Sequence, residues 1–172
     1  MDVPLFFFFS FPYDQSDELL KVADNTGSSD LVFDTGGGYS LVTGRNIPPY
    51  EQGHGNGFAL ATDDNTSQKL IAYTTPTDGA WSLYASLWYP INGVYQEIFS
   101  EIELATDLFP DSVEARGGDQ AIVNIADIGG GKFGINLAKF DEFGNYHQIK
   151  YVEVVLDGAG QITVLSTAVD FP

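Results

Sequence analysis

The sequence predicts an all-β protein, mainly antiparallel, folded as a two-sheet sandwich of jelly-roll type; a closed β-barrel is the alternative. Three observations predict it. Short apolar runs recur along the chain, each followed by a turn rich in Gly, Asn, Asp or Pro. The connections between runs are local, which joins strands antiparallel. Strands do not alternate with long helices, which disfavours a parallel α/β sheet.

The run "PLFFFFSF" at 4–11 does not alternate. Phe6, Phe7, Phe8 and Phe9 would fill both faces of a first strand, so that strand is covered on both sides. Alternatively, residues 1–15 form an apolar arm, and Phe6–Phe9 pack into a second copy to make a homo-oligomer. "SDELLKVAD" at 16–24 has helical character, with Ser16 as its cap. Strand runs follow at 31–35, 39–43, 57–62, 69–75, 80–89, 94–105, 112–116, 120–127, 132–140, 147–156 and 161–168. Asn92-Gly93 in "YPINGVY" is the strongest hairpin signal, because both central residues of a type I′ turn need positive φ. "ATDDNTSQK", "FDEFGNY" and "LDGAGQI" join later runs in the same local way.

A chain of 172 residues fits one domain, 1–172, and its 44% hydrophobic content supports a full core. Seven Lys and Arg face 24 Asp and Glu, a formal net charge of −17. Phosphate binding needs clustered cations, so nucleic acid is not a partner. Without cysteine there is no disulfide framework and no thiolate chemistry. The N-terminal apolar run is far shorter than a membrane-spanning helix, so no membrane insertion is expected. It also lacks the basic region of a signal peptide. An extracellular or cell-surface location would therefore imply a leader already removed.

The Asn92-Gly93 turn sets a register. With Ile91 opposite Val94, strict pairing puts Leu87 against Ile98, Leu83 against Ile102 and Trp81 against Leu104. That face is core. The other face pairs Trp88 with Glu97, Ser86 with Phe99, Tyr84 with Glu101 and Ser82 with Glu103, and Tyr95 lies near the turn. Rings interleaved with carboxylates suit a glycan, whose pyranose stacks while its hydroxyls are accepted, or a protein partner. Tyr84, Trp88, Tyr95, Glu97, Phe99, Glu101 and Glu103 are the candidate ligand residues. The same alternation is also ordinary for the solvent face of a sheet.

Two acidic loops offer oxygens to a hard cation: Asp63, Asp64 and Asn65 in one, Asp141, Glu142 and Asn145 in the other. Calcium is the one cofactor they would hold; no other is implied. Asp and Asn are also default turn formers. His54 and His147 have no metal-ligand spacing, so no zinc site is expected. "DIGGGKFG" at 127–134 lacks the P-loop spacing.

"LVFDTGGGYSL" at 31–41 carries Asp34-Thr35-Gly36 after an apolar run, which reads as a strand ending in a turn. The motif also resembles the catalytic loop of pepsin-like and retropepsin-like aspartic peptidases. The resemblance implies a catalytic Asp34, with "ADIGG" at 126–130 as the supporting element and Tyr73 as a flap tyrosine. Two carboxylates must share one proton in that chemistry, so the enzyme would be a symmetric homodimer. "NGFALAT" and "WSLYASLWYP" are similar in strand rhythm to jelly-roll carbohydrate-binding modules. The leading expectation is a non-enzymatic binding module for a glycan or protein partner. A structural assembly protein of a virion or surface layer comes second, and a homodimeric peptidase using Asp34 third.

Overall fold

The computed structural model describes residues 18–23, 29–45, 57–77, 80–109, 120–140, 146–156, 161–165 and 169–170. Phe6–Phe9, His54, Asp141, Glu142 and Asn145 lie outside them, as do the runs expected at 4–11 and 112–116. The described residues are all-β: β1 (Leu19–Ala23), β2 (Ser29–Asp34), β3 (Tyr39–Thr43), β4 (Phe58–Thr62), β5 (Lys69–Thr77), β6 (Ala80–Ile91), β7 (Val94–Leu108), β8 (Gln120–Gly129), β9 (Lys132–Phe140), β10 (Tyr146–Leu156), β11 (Ile162–Val164) and β12 (Val169–Asp170).

The stretch with helical character is a strand instead. Leu19–Ala23 pairs antiparallel with β2, from Leu19 opposite Phe33 to Ala23 opposite Ser29. A helix this short gains too few hydrogen bonds to offset nucleation. As a strand it gains a ladder and buries Leu19.

The strands form three antiparallel sheets, and none closes into a barrel. The N-terminal sheet is β1-β2-β3, the central sheet β4-β5-β6-β7, and the C-terminal sheet β11-β10-β9-β8 with β12 also on β10. Within each, strand order follows chain order, except that β12 returns to β10. These are meanders, whereas jelly-roll connections would exchange strands between sheets.

The central and C-terminal sheets enclose the main core. Ala59, Ala61, Leu70, Ala72, Trp81, Leu83, Ala85 and Leu87 face Ala121, Val123, Ile125, Phe133, Ile135, Leu137, Val152 and Val154. The Thr74 hydroxyl, fully buried, ties the two sheets along one side, 2.9 Å from the Ala121 carbonyl and 3.2 Å from that of Gly57.

The third sheet is the departure from a two-sheet sandwich. It lies on the opposite face of the central sheet and closes a second core of Leu19, Leu31, Phe33, Val42, Phe58, Ile71, Tyr73, Tyr84 and Trp88. Alternation along β5 sends Leu70 and Ala72 to one core and Ile71 and Tyr73 to the other. Every residue of β6 from Ala80 to Trp88 is buried. A strand covered on both faces usually reads as one long apolar run. β6 departs from that because Ser82 and Ser86 are small, and Ser86 Oγ accepts the Trp88 Nε1–H at 2.8 Å.

The β6–β7 turn is the expected hairpin, with Asn92 at φ 55° and Gly93 at φ 82°. Its register holds from Ile91–Val94 to Trp88–Glu97 and then breaks. Leu87 pairs with Phe99, Ala85 with Ile102, Tyr84 with Glu103, Leu83 with Ala105 and Trp81 with Leu108. β7 inserts extra residues as bulges, with Glu101 at φ 50° and Asp107 at φ 53°. The cause is the spacing of its apolar residues, which is not two. The bulges return Phe99, Ile102 and Ala105 to the main core.

Candidate functional site

The aromatic strip expected to face solvent is the floor of the second core. Trp88 is 2% exposed and Tyr84 6%. Phe33 meets Trp88 edge-on at 5.0 Å between centroids, and Tyr95, half-buried, at 5.6 Å. Phe99 packs on the opposite side, against the main core. The rings therefore do not form a stacking surface. Glu97, Glu101 and Glu103 remain exposed along β7, the edge strand of the central sheet.

These carboxylates line a seam where the end of β3 meets β7. Thr43 donates its hydroxyl to Glu101 Oε1 at 2.8 Å. Arg45 reaches the same carboxylate with a loose fork, Nε 3.4 Å from Oε1 and Nη2 3.5 Å from Oε2. Its guanidinium carbon sits 4.3 Å from the Tyr84 ring centroid. The Tyr84 hydroxyl donates to Glu103 Oε2 at 3.2 Å. Burial and the neighbouring Glu101 raise the Glu97 carboxyl above its usual range.

Tyr73 lies beneath the seam, stacked on Tyr84 with centroids 5.9 Å apart. Burial pushes its hydroxyl up to about 12. The Thr43 hydroxyl beside it draws the value down, but Thr43 is committed to Glu101. The Tyr73 oxygen is left with no partner in good hydrogen-bond geometry. Arg45 and Thr43 were not among the expected site residues, and Tyr73 was named only as a flap tyrosine through the peptidase resemblance. Nothing local in "VTGRN" signals that its arginine meets a glutamate 56 residues later.

The Asp-Thr-Gly segment is the β2–β3 hairpin loop. Asp34 Oδ1 accepts the Gly36 N–H at 2.9 Å, and the Thr35 hydroxyl donates to the Gly38 carbonyl at 2.8 Å. Gly36 and Gly38 take positive φ. The loop docks on the β6–β7 turn, where Tyr95 N–H donates to the Thr35 carbonyl at 2.9 Å. A Cβ on Gly37 would stand 3.2 Å from Val94 Cγ1. The Asp34 carboxylate thus closes a turn.

Asp63 closes the β4–β5 turn. Its oxygens accept the Asn65 N–H at 2.8 Å and the Thr66 hydroxyl at 2.9 Å. Burial works against its charge, but these hydrogen bonds win and hold it below the usual carboxylate range. Asp64 and Asn65 are exposed, and Asp64 N–H donates to Asp127 Oδ2 at 3.1 Å. Among the described residues, no group of three or more His, Asp or Glu is placed to hold a metal. The first three glycines of "DIGGGKFG" make the β8–β9 turn, with Gly129, Gly130 and Gly131 all at positive φ, and Gly134 lies in β9.

A different surface stands out at the β6–β7 tip. Tyr89, Ile91, Val94 and Ile98 alternate onto the face that carries Leu87 and Leu83 into the main core. At the tip this face is only partly covered: the four are 36–43% exposed, and Val94 also meets the β2–β3 loop at Gly37. A cleft of about 460 Å³ opens at the other end of β7, between Glu103–Leu108 and Lys150.

No family model matches the chain, and neither a curated protein nor a solved structure resembles it significantly.

Proposed function

We propose that the chain is a non-catalytic binding module that takes a protein partner on the β6–β7 hairpin. The observation that carries this reading is the partly uncovered apolar face of Tyr89, Ile91, Val94 and Ile98. Exposed apolar side chains grouped at one tip mark a contact site; Tyr39, Leu41, Ile128 and Leu165 are exposed elsewhere but are not gathered on this hairpin. Glu97 lies beside it, and the net charge of −17 opposes a second copy. The partner that fits has an apolar centre ringed by Lys or Arg. In this reading the module works outside the cell or on its surface. A glycan stacked on Trp88 and Tyr84 is set aside because both rings are buried.

The test is selection of displayed peptides on the wild-type protein, counter-selected on Ile91→Ser/Ile98→Ser. The expected result is basic, apolar peptides whose binding is lost in the variant while its thermal unfolding is unchanged. Peptides that bind both proteins equally would overturn the reading. Dimerisation in sedimentation, abolished by the same pair of changes, would replace the partner with a second copy.

A further inference from the structure

The outward face of the N-terminal sheet is apolar where an antiparallel sheet with one buried face is normally polar. Leu31 and Phe33 of β2 and Val42 of β3 enter the second core, so Asp30, Val32, Asp34, Tyr39 and Leu41 lie on the other face. The register sets Tyr39 opposite Asp34 and Leu41 opposite Val32. On the other side of β2, Leu20 stands opposite Val32 and Val22 opposite Asp30. One row of this face is thus Leu20, Val32 and Leu41, apolar on all three strands. Tyr39 is 58% exposed and Leu41 55%, the highest values among the large apolar side chains described. A sheet with two apolar faces calls for a cover on each.

The chain enters this sheet at the row of Tyr39. Asp34 N–H donates to the Glu18 carbonyl at 2.7 Å, and Asp34 stands opposite Tyr39. Residues 1–17 precede Glu18. Of these, 4–11 read "PLFFFFSF", five phenylalanines in eight residues with no charge, and residues 12–17 join them to Glu18. Six residues reach at most about 20 Å, whereas three strands are about 10 Å across. The link is long enough for the run to turn back over the sheet it leads into.

We propose that segment 4–11 of the same chain is the cover of this face, with its phenylalanines seated on Val32, Tyr39 and Leu41. The chemistry and the connection both fit. The face offers apolar side chains between Asp30 and Asp34, and the run is apolar and adds no charge to a protein of net charge −17. A six-residue tether gives an effective concentration on the order of millimolar, far above that of a separate molecule. A second copy in its place would bring another net charge of −17 to a face that already carries two carboxylates. The site is independent of the hairpin tip and uses none of its residues.

The experiment uses the whole chain and two readouts, ¹³C-edited NOE contacts and chymotrypsin cleavage at Phe6–Phe9. In the wild type, the ring protons of Phe6–Phe9 should contact the Leu41 and Val32 methyl groups. Those contacts should be missing from an isotope-filtered spectrum of mixed labelled and unlabelled chains. Leu41→Asp, with folding checked by its amide spectrum, should be cut at Phe6–Phe9 at least about tenfold faster, because cleavage follows the open population. Ile91→Ser/Ile98→Ser should be cut at the wild-type rate. If Leu41→Asp does not fold, the wild-type contacts decide alone. Absence of those contacts, or equal cleavage of wild type and Leu41→Asp, would overturn the proposal. Contacts found only between labelled and unlabelled chains would overturn it in favour of a second copy.

Discussion

Phe33 of β2 meets Trp88 of β6 edge-to-face, with ring centroids 5.0 Å apart and planes at 64°. This contact joins the N-terminal sheet to the central one, and it converts a strip of rings suited to a ligand into a second core. Both side chains are essentially buried. Truncating either should therefore destabilise the protein by about 3–5 kcal/mol. Urea unfolding of Phe33→Ala and Trp88→Ala checks this. A Trp88→Ala protein as stable as wild type would restore Trp88 to the surface.

Tyr73 should report on alkaline stability. Its ordinary value is 10.0, and burial raises it to about 12 in the folded chain. Between these values the folded state holds a proton that the unfolded chain has released. Its contribution is complete below about pH 10 and declines as pH rises towards 12. Tyr73→Phe should flatten that part of the profile. At neutral pH it should change stability by less than about 0.5 kcal/mol, or raise it, because the hydroxyl has no partner to lose. Chemical unfolding at pH 7 and across the alkaline range gives both results.

The pair Arg45–Glu101 should contribute little despite its central place. Both side chains are 40% exposed and the contacts are long. Arg45→Ala should cost at most about 1 kcal/mol, and that cost should shrink in high salt. Glu101→Ala should cost more, because it removes the acceptor of the buried Thr43 hydroxyl. A double-mutant cycle at two salt concentrations separates the two effects.

The β8–β9 turn gives a paired test of backbone strain. Gly131, at φ 72°, leaves a Cβ only 3.2 Å from the Leu156 carbonyl. Gly130, at φ 66°, has open space around it. Gly131→Ala should cost about 1–2 kcal/mol, and Gly130→Asn should be tolerated because Asn accepts this region. Thermal unfolding of the two variants should separate them clearly.

Much of the strand content was legible because alternation and turn chemistry are local. Asn92-Gly93 fixed its hairpin, and the runs at 31–35, 39–43 and 80–89 are strands. Leu19–Ala23 was not legible, since its choice between helix and strand depended on pairing with β2. The register of β7 was legible for four pairs and then lost. Bulges are set by which apolar side chains must reach the core, and that depends on the C-terminal sheet. The contact of Tyr151 with Gly134 was missed because it joins a ring on one strand to a glycine on the next.

By itself the sequence determined an all-β, antiparallel, strongly acidic chain without disulfides, because composition, period and turns act over a few residues. Tertiary structure decided which faces of that sheet meet water. The pattern Ser82-Leu83-Tyr84-Ala85-Ser86 on β6 has one face that suits either solvent or a covering sheet. Only the arrival of Leu31 and Phe33, some 50 residues earlier in the chain, buried it. Burial is a property of what packs from elsewhere, and no local pattern encodes it.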